Sequence, residues 1–287
     1  MKRLVALLLL AGCAKPPSPP PIPPVVPAAP GIPIQEPDDD FTKMGKALPG
    51  DWLHSFPEEG QTFERYMDEC RNRKSETRTT IYLQPLGQPD ERYSKVIAIM
   101  QEYAEIFFGV KCVVRAPMEL PANAWRAERG QYNANMILGW LEESLPEDAL
   151  AVAGVTDRDL YSGDLNFVFG LGSLAGRRGV YSLCRFGNDW GMFLRRSLKL
   201  LSHEVGHIFG MEHCIWYQCV MSGANSLSED DRYPMFLCPI DLRKLQWNAG
   251  FDRGGRYGKL GEFYRKHSLG IEADWVRRHL SARDVKK

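Results

Sequence analysis

The rhythm of apolar residues along the chain changes several times, and each change marks an element. Ile81–Leu86 ("IYLQPL") is a short apolar run that reads as a first strand. From Tyr93 to Phe108 the apolar positions Val96, Ile97, Met100, Tyr103, Ala104 and Phe107 recur in threes and fours, which predicts a helix. Val110–Ala116 ("VKCVVRA") predicts a second strand, and Tyr132–Leu145 a second helix that Pro146 stops. Ala149–Thr156, Leu165–Gly170 and Gly179–Phe186 predict three further strands. Between Trp190 and Phe209 the helical rhythm returns: Leu194, Leu198, Leu201, Val205 and Ile208 are spaced four, three, four and three, the stripe of a core-facing helix. Asn188 or Asp189 is placed to cap it and Gly210 to end it. Strands and helices mix in the N-terminal half and helices dominate afterwards, so the class is α+β, or mixed α/β, with a mixed sheet.

The first 37 residues follow none of these rhythms. Lys2 and Arg3 precede an apolar run, Leu4–Leu10, too short to span a bilayer, and then comes "LAGC", Leu10–Cys13. This resembles the lipobox of bacterial lipoproteins. It implies that residues 1–12 are a signal peptide and that Cys13 becomes the lipidated first residue. The plainer alternative is an ordinary secretory signal in which Cys13 is incidental. At about 0.8 kcal/mol per buried methylene, several acyl chains on one cysteine anchor a protein stably. Ala14 after the cysteine points, by analogy with Gram-negative sorting, to the periplasmic face of the outer membrane in the bacterial cell envelope. The proline density from Ala14 to Pro37 excludes helix and central strand and predicts an extended polyproline II stalk of about 3.1 Å per residue. The expected organisation is therefore residues 1–12 signal peptide, 13–37 lipidated cysteine and proline-rich linker, and 38–287 folded domain.

Composition narrows the function classes. The chain has 287 residues, 44% apolar and 25% charged, enough for one sizeable core. Its 36 Lys and Arg balance 36 Asp and Glu, so no long-range field marks a nucleic-acid binder, and a monomer without nucleic acid is expected. The basic residues near the end (Arg277, Arg278, Arg283, Lys286, Lys287) are few and mixed with acids, the pattern of a solvated helix face.

The chemistry is concentrated in "HEVGHIFGMEHC", His203–Cys214, which holds three of the six histidines. His203 and His207, at i and i+4, lie side by side on one face of the predicted helix and can share a zinc ion. Glu204 projects beside the metal, where it can take a proton from water. Gly210 lets the chain turn sharply and return His213 as a third ligand. Three protein ligands leave a position open, as in catalytic rather than structural zinc sites. The bland alternative is a structural pair of core histidines. A bare H-E-x-x-H arises by chance in roughly one chain in a hundred of this length, and the added glycine and third histidine lower that about a thousandfold. Arg196 and Lys199 lie towards the ligand side of the helix, where they can border the cleft or carry solvent-facing charge.

His203–His213 matches the metzincin signature H-E-x-x-H-x-x-G-x-x-H. Its continuation, Cys214, Cys219, Met221 and then "CPID" at Cys238–Asp241, resembles the archaemetzincins, as do "PGDWL", "IYLQPLG", "GVTDRDLY", "LNFVFG" and "CPIDLRKLQ". The resemblance covers roughly Leu48–Asp252. It implies a metzincin-like zincin fold: a mixed five-stranded sheet, an active-site helix and a smaller, mainly helical C-terminal lobe. It implies His203, His207 and His213 as ligands of a catalytic Zn2+, Glu204 as general base, and Met221 as the methionine beneath the metal. The family also implies a second, structural zinc held by four cysteines. Cys214, Cys219 and Cys238 match three of them, but Asp241 stands at the fourth. A Cys3Asp zinc site, a site completed by another group, and loss of the metal with a disulfide between two of the cysteines all remain open. Cys112 and Cys184 lie in apolar strand patterns that predict buried thiols.

The reading that follows is a zinc metallopeptidase acting on a peptide or protein substrate and tethered to the membrane through lipid on Cys13. An extended substrate is expected to pair with the antiparallel edge strand, for which "LNFVFG" is the candidate. The alternatives are a catalytically silent zinc-containing binding module of the envelope and a zinc amidase acting on cell-wall peptides.

Overall fold

The computed structural model describes residues 40–173 and 176–285. Cys13, the signal-peptide stretch and the proline-rich linker lie outside the described residues. The helices are α1 Trp52–Ser55, α2 Phe63–Glu69, α3 Glu91–Phe108, α4 Ala134–Glu143, α5 Trp190–Ile208, α6 Leu227–Asp230, α7 Pro239–Ala249, α8 Arg253–Lys266 and α9 Gly270–Val285. The strands are β1 Thr80–Leu86, β2 Lys111–Val114, β3 Trp125–Arg126, β4 Gln131–Asn133, β5 Ala149–Thr156, β6 Leu160–Tyr161, β7 Gly170–Ser173 and β8 Arg178–Ser182.

Five strands form one mixed sheet in the order β2-β1-β5-β8-β7. The first four run parallel and β7 closes the edge antiparallel to β8. The central strand β5 is buried along its whole length, which is why its sequence, "ALAVAGVT", is a continuous apolar run rather than an alternation. On β8 the alternation is clean: Tyr181 packs with α3 and α5, while Val180 faces the cluster built on α4. Helices therefore cover both faces, and α5 lies under the sheet on the side of the larger core. A second, three-stranded sheet, β3-β4-β6, lies apart from it.

The C-terminal helices join the larger core. Phe263 of α8 packs on Tyr103 of α3 with ring centroids 5.3 Å apart, and Arg256 donates to the Phe107 carbonyl at 2.7 Å. From the other end of the chain, residues before β1 bind the end of α5. Tyr66 donates to the Phe209 carbonyl at 2.8 Å, and Asn72 donates to the carbonyls of Ile208 and Leu150. The bonds to Phe209 and Ile208 satisfy acceptors that every helix C-terminus leaves without an internal partner, and the bond to Leu150 ties the segment to β5.

Three sequence expectations need correction. Of the predicted Leu165–Gly170 strand, residues 165–169 are a loop, and the antiparallel edge strand starts at its last residue, at Gly170–Ser173. Two of the loop's carbonyls are taken by side chains, Arg129 bonding Leu165 and Gln131 bonding Asn166, while Phe169 accepts from the Ser182 amide of β8. The true strand reads "GLGS", and its two glycines carry no strand signal. Tyr132 belongs to β4, with Asn133 capping α4 through Asn135 and Met136. Finally, β8 ends at Ser182, before the predicted Phe186.

Candidate metal centres

Helix α5 starts as the pattern requires, with the Asp189 carboxylate accepting from the Met192 amide at 2.8 Å. It ends where Gly210 turns the chain with φ +88°, a conformation that L side chains avoid. From Ser197 to Ile208 every residue is buried, so this half of the helix has no solvent face. That overturns the expectation for Arg196 and Lys199. Lys199 is 2% exposed and ion-paired with Asp230 at 3.1 Å, while Arg196 pairs with Asp231 at 3.0 Å. Both cations fasten the loop around α6 to the helix rather than bordering a cleft or facing solvent.

His203, His207 and His213 come together, each offering a ring nitrogen, with these atoms within 4.8 Å of one another. Their outer nitrogens are all committed. His203 Nδ1 lies 2.8 Å from the Val220 carbonyl, His207 Nδ1 2.6 Å from the Met211 carbonyl, and His213 Nδ1 2.8 Å from a Glu58 carboxylate oxygen. Each of these oxygens can only accept, so each Nδ1 carries the proton. Burial pushes His203 down to about 3 and His207 well below the ordinary imidazole range, which keeps both rings neutral. The two Nε2 atoms, 2.9 Å apart, thus face each other as bare lone pairs and cannot bond each other. His213 Nε2 is buried with no protein partner among the described residues. Two facing lone pairs and a third buried ring nitrogen without a protein partner among the described residues are a donor set for a cation, and imidazole suits zinc.

Beside them Glu204 is fully buried, and among the described residues neither carboxylate oxygen has a protein partner. Burial pushes its carboxyl up to about 8. The β7 glycines make room for it: a Cβ at Gly170 would sit 3.2 Å from the Glu204 carboxyl carbon and 2.8 Å from the Tyr181 ring. Met221 lies under the helix, and a Cβ at Gly206 would meet its sulfur at 2.6 Å.

The second cluster is Cys214, Cys219, Cys238 and Asp241, all buried. Its three thiols are free, as are Cys70, Cys112 and Cys184. Of the two predicted to be buried, Cys112 is, whereas Cys184 is only half-buried. Cys214 and Cys238 place their sulfurs 3.7 Å apart, and Asp241 Oδ2 lies 3.4 Å from Cys219 Sγ and 3.3 Å from Cys238 Sγ. Hydrogen bonds from the Cys219 and Cys238 thiols hold Cys214 down to about 3, and burial pushes Asp241 up to about 6. The other carboxylate oxygen, Oδ1, is taken by Lys244 at 2.8 Å, in a pair with no exposed surface on either side. Asp241 thus turns one oxygen to the sulfurs and one to a cation. Sequence reasoning missed Lys244, although its i+3 spacing from Asp241 on α7 was there to be read. It also missed Glu58, 155 residues before His213, for which no local spacing gives a signal.

Comparison with known proteins agrees with this chemistry. The model of Peptidase family M54 matches residues 91–247. Archaemetzincin-2 of Pongo abelii is 35% identical over 274 residues, covering 79% of this chain and 75% of that protein. The archaemetzincin of Methanocaldococcus jannaschii is 35% identical over 181 residues, 61% of this chain and 94% of that protein. The crystal structure of archaemetzincin from Methanopyrus kandleri superimposes with a TM-score of 0.55 at 32% identity, over 62% of this chain and 99% of that one.

The buried Lys244–Asp241 pair generates a direct prediction. Replacing one member of such a pair strands the other charge, at a cost of about 3–5 kcal/mol. Lys244→Met is therefore expected to lower the stability of the chain by about that much in urea unfolding. A loss below about 1 kcal/mol would show that the two charges do not depend on each other.

Proposed function

The chain belongs to peptidase family M54, the archaemetzincins, and is a zinc metallopeptidase; from that premise we propose that His203, His207 and His213 hold its catalytic zinc and that Glu204 is its general base. One observation carries this reading. Three imidazoles, each bonding an acceptor through Nδ1, turn their Nε2 atoms towards one another beside a buried carboxylate that has no protein partner among the described residues. Zinc held there would supply Lewis acidity, polarising the scissile carbonyl and making water a stronger acid.

The protein's own residues do the rest. Glu204 accepts the proton from the attacking water and delivers it to the departing amine, serving as base and then as acid. Gly170 and Gly172 keep β7 close to that carboxylate without crowding it. As the antiparallel edge of the sheet, β7 offers backbone groups to an extended peptide, which brings its scissile bond past Glu204. Met221 forms an apolar floor beneath the ligands. Cys214, Cys219, Cys238 and Asp241 would hold a second, structural zinc, with Lys244 offsetting the negative charge of the donor set.

The tether is a separate proposal that rests on sequence. With lipid on Cys13 and a polyproline stalk behind it, the peptidase domain would stand off the envelope membrane. Among the described residues no helix is long and apolar enough to cross a membrane.

Activity is tested by incubating the chain with a diverse peptide library and reading the cuts by mass spectrometry. Glu204→Ala, which keeps every ligand, is expected to lower the rate about a hundredfold to ten-thousandfold. Cuts that persist in the variant would remove Glu204 from the mechanism. If peptides stay intact while cell-wall fragments are cut, the substrate is a cell-wall amide, and cleavage of neither favours a binding module.

Metal content checks the second site: elemental analysis should find two zinc ions per chain, and one ion with the histidine site full would refute the Cys3Asp site. For the tether, Cys13→Ala is expected to move the protein out of the membrane fraction. An unchanged distribution would exclude a lipid anchor at that residue.

A further inference from the structure

The third histidine is held by a part of the chain that lies outside residues 91–247, the stretch matched by the family model. Glu58 follows α1, and its carboxylate accepts from His213 Nδ1 at 2.8 Å. The same oxygen accepts from the indole nitrogen of Trp52 at 2.5 Å. Trp52 is fixed in its turn. Its backbone amide donates to the buried Glu229 carboxylate at 2.9 Å, and its ring meets His213 edge-on with centroids 5.1 Å apart. Gly223 leaves the notch the indole fills, since a Cβ there would lie 2.5 Å from it. His213, Trp52 and Glu229 are all buried, and Glu58 itself is partly buried.

We propose that Glu58 is a positioning residue of the catalytic metal centre, a carboxylate from the N-terminal segment that orients His213 for the metal. The inference rests on the histidine-triad reading above. Its physical content is specific. Unlike His203 and His207, which are oriented by backbone carbonyls of the surrounding loops, His213 lies beyond the helix on a turn after Gly210 and bonds a charged side chain. A carboxylate on Nδ1–H fixes the ring's tautomer and its rotation, and makes Nε2 a stronger donor. Outer partners of this kind typically change metal affinity 10–100-fold. The segment carrying Glu58 is thereby part of the metal centre, and the Glu58 carboxylate is its hydrogen bond to a ligand ring, beside the Trp52 ring contact and the Gln61 bonds to Gly210 and Glu212.

The test uses the full chain, stripped of metal and reloaded with Co2+, because cobalt reports the two clusters separately. Sulfur-to-cobalt charge transfer marks the cysteine cluster, and visible d–d bands that vanish in His207→Ala mark the histidines. In competition with a chelator, Glu58→Ala is expected to weaken cobalt binding at the histidines 10–100-fold and to shift their d–d bands, with the sulfur band unchanged. Glu58→Gln, which keeps an oxygen acceptor for Nδ1–H, should recover part of the loss. An affinity for Glu58→Ala within about twofold of the parent overturns the proposal. So does an equal loss at the cysteine cluster, which would make Glu58 a general support of the fold. If the parent chain itself shows no bands that His207→Ala removes, the histidine-triad reading fails. That result appears before any Glu58 variant is made.

Discussion

The centre depends on where three imidazole protons sit. Each is drawn to Nδ1 by an oxygen that can only accept, so the three Nε2 atoms are left converging in a buried space. A buried polar atom without a partner costs about 1–3 kcal/mol, and neighbouring lone pairs repel as well. The fold must therefore hold the rings against their own preference, and a divalent cation turns the repulsion into attraction. Much of the surrounding architecture can be understood as what it takes to hold them. Helix α5 is buried all round its second half, its C-terminal carbonyls are bonded by Tyr66 and Asn72, and Lys199 and Arg196 bind the following loop to its flank.

The two clusters share a strap. Between Cys214 and Met221 the chain leaves the third histidine, circles and returns, and the Cys214 amide bonds the Met221 carbonyl at 2.9 Å. Three consecutive residues then serve both sites. Cys219 offers its sulfur to the second cluster, the Val220 carbonyl orients His203, and Met221 fills the space under Gly206. A metal on the sulfurs would stiffen this strap and so fix the acceptor that sets the His203 tautomer. Such a metal would link the cysteine cluster to the histidines without any contact with substrate. It also accounts for how aspartate can stand at the fourth position: Lys244 takes one of its oxygens and leaves the other directed at the sulfurs.

How much of this was legible followed the range of each interaction. The helix, the i and i+4 histidines, the turn at Gly210 and the return of His213 are local, so spacing alone carried them. Most of the parallel strands were legible because burial on both faces makes continuous apolar runs. Glu58 and Trp52 act across more than 150 residues, and only the fold brings them to His213. Lys199 was misread for another reason. A lysine on a helix is ordinarily a marker of the wet face, but here desolvation is offset by Asp230 and two backbone carbonyls, so the polar pattern no longer reported solvent.

The misplacement of the edge strand belongs to the same logic. A strand reading "GLGS" has poor intrinsic propensity, and the apolar residues just before it form the more strand-like run. The glycines are there because the Glu204 carboxyl group and the Tyr181 ring occupy the space that side chains at Gly170 would need. The feature that hid β7 from a reading of propensities is therefore the one that lets an edge strand run beside an unpaired carboxylate. Buried Lys244, unpaired Glu204 and glycine-rich β7 each break a local rule, and each lies at one of the two clusters. Departures from local preference persist where something else is gained: at Lys199 the anchoring of the α6 loop, at these three the building of the two clusters.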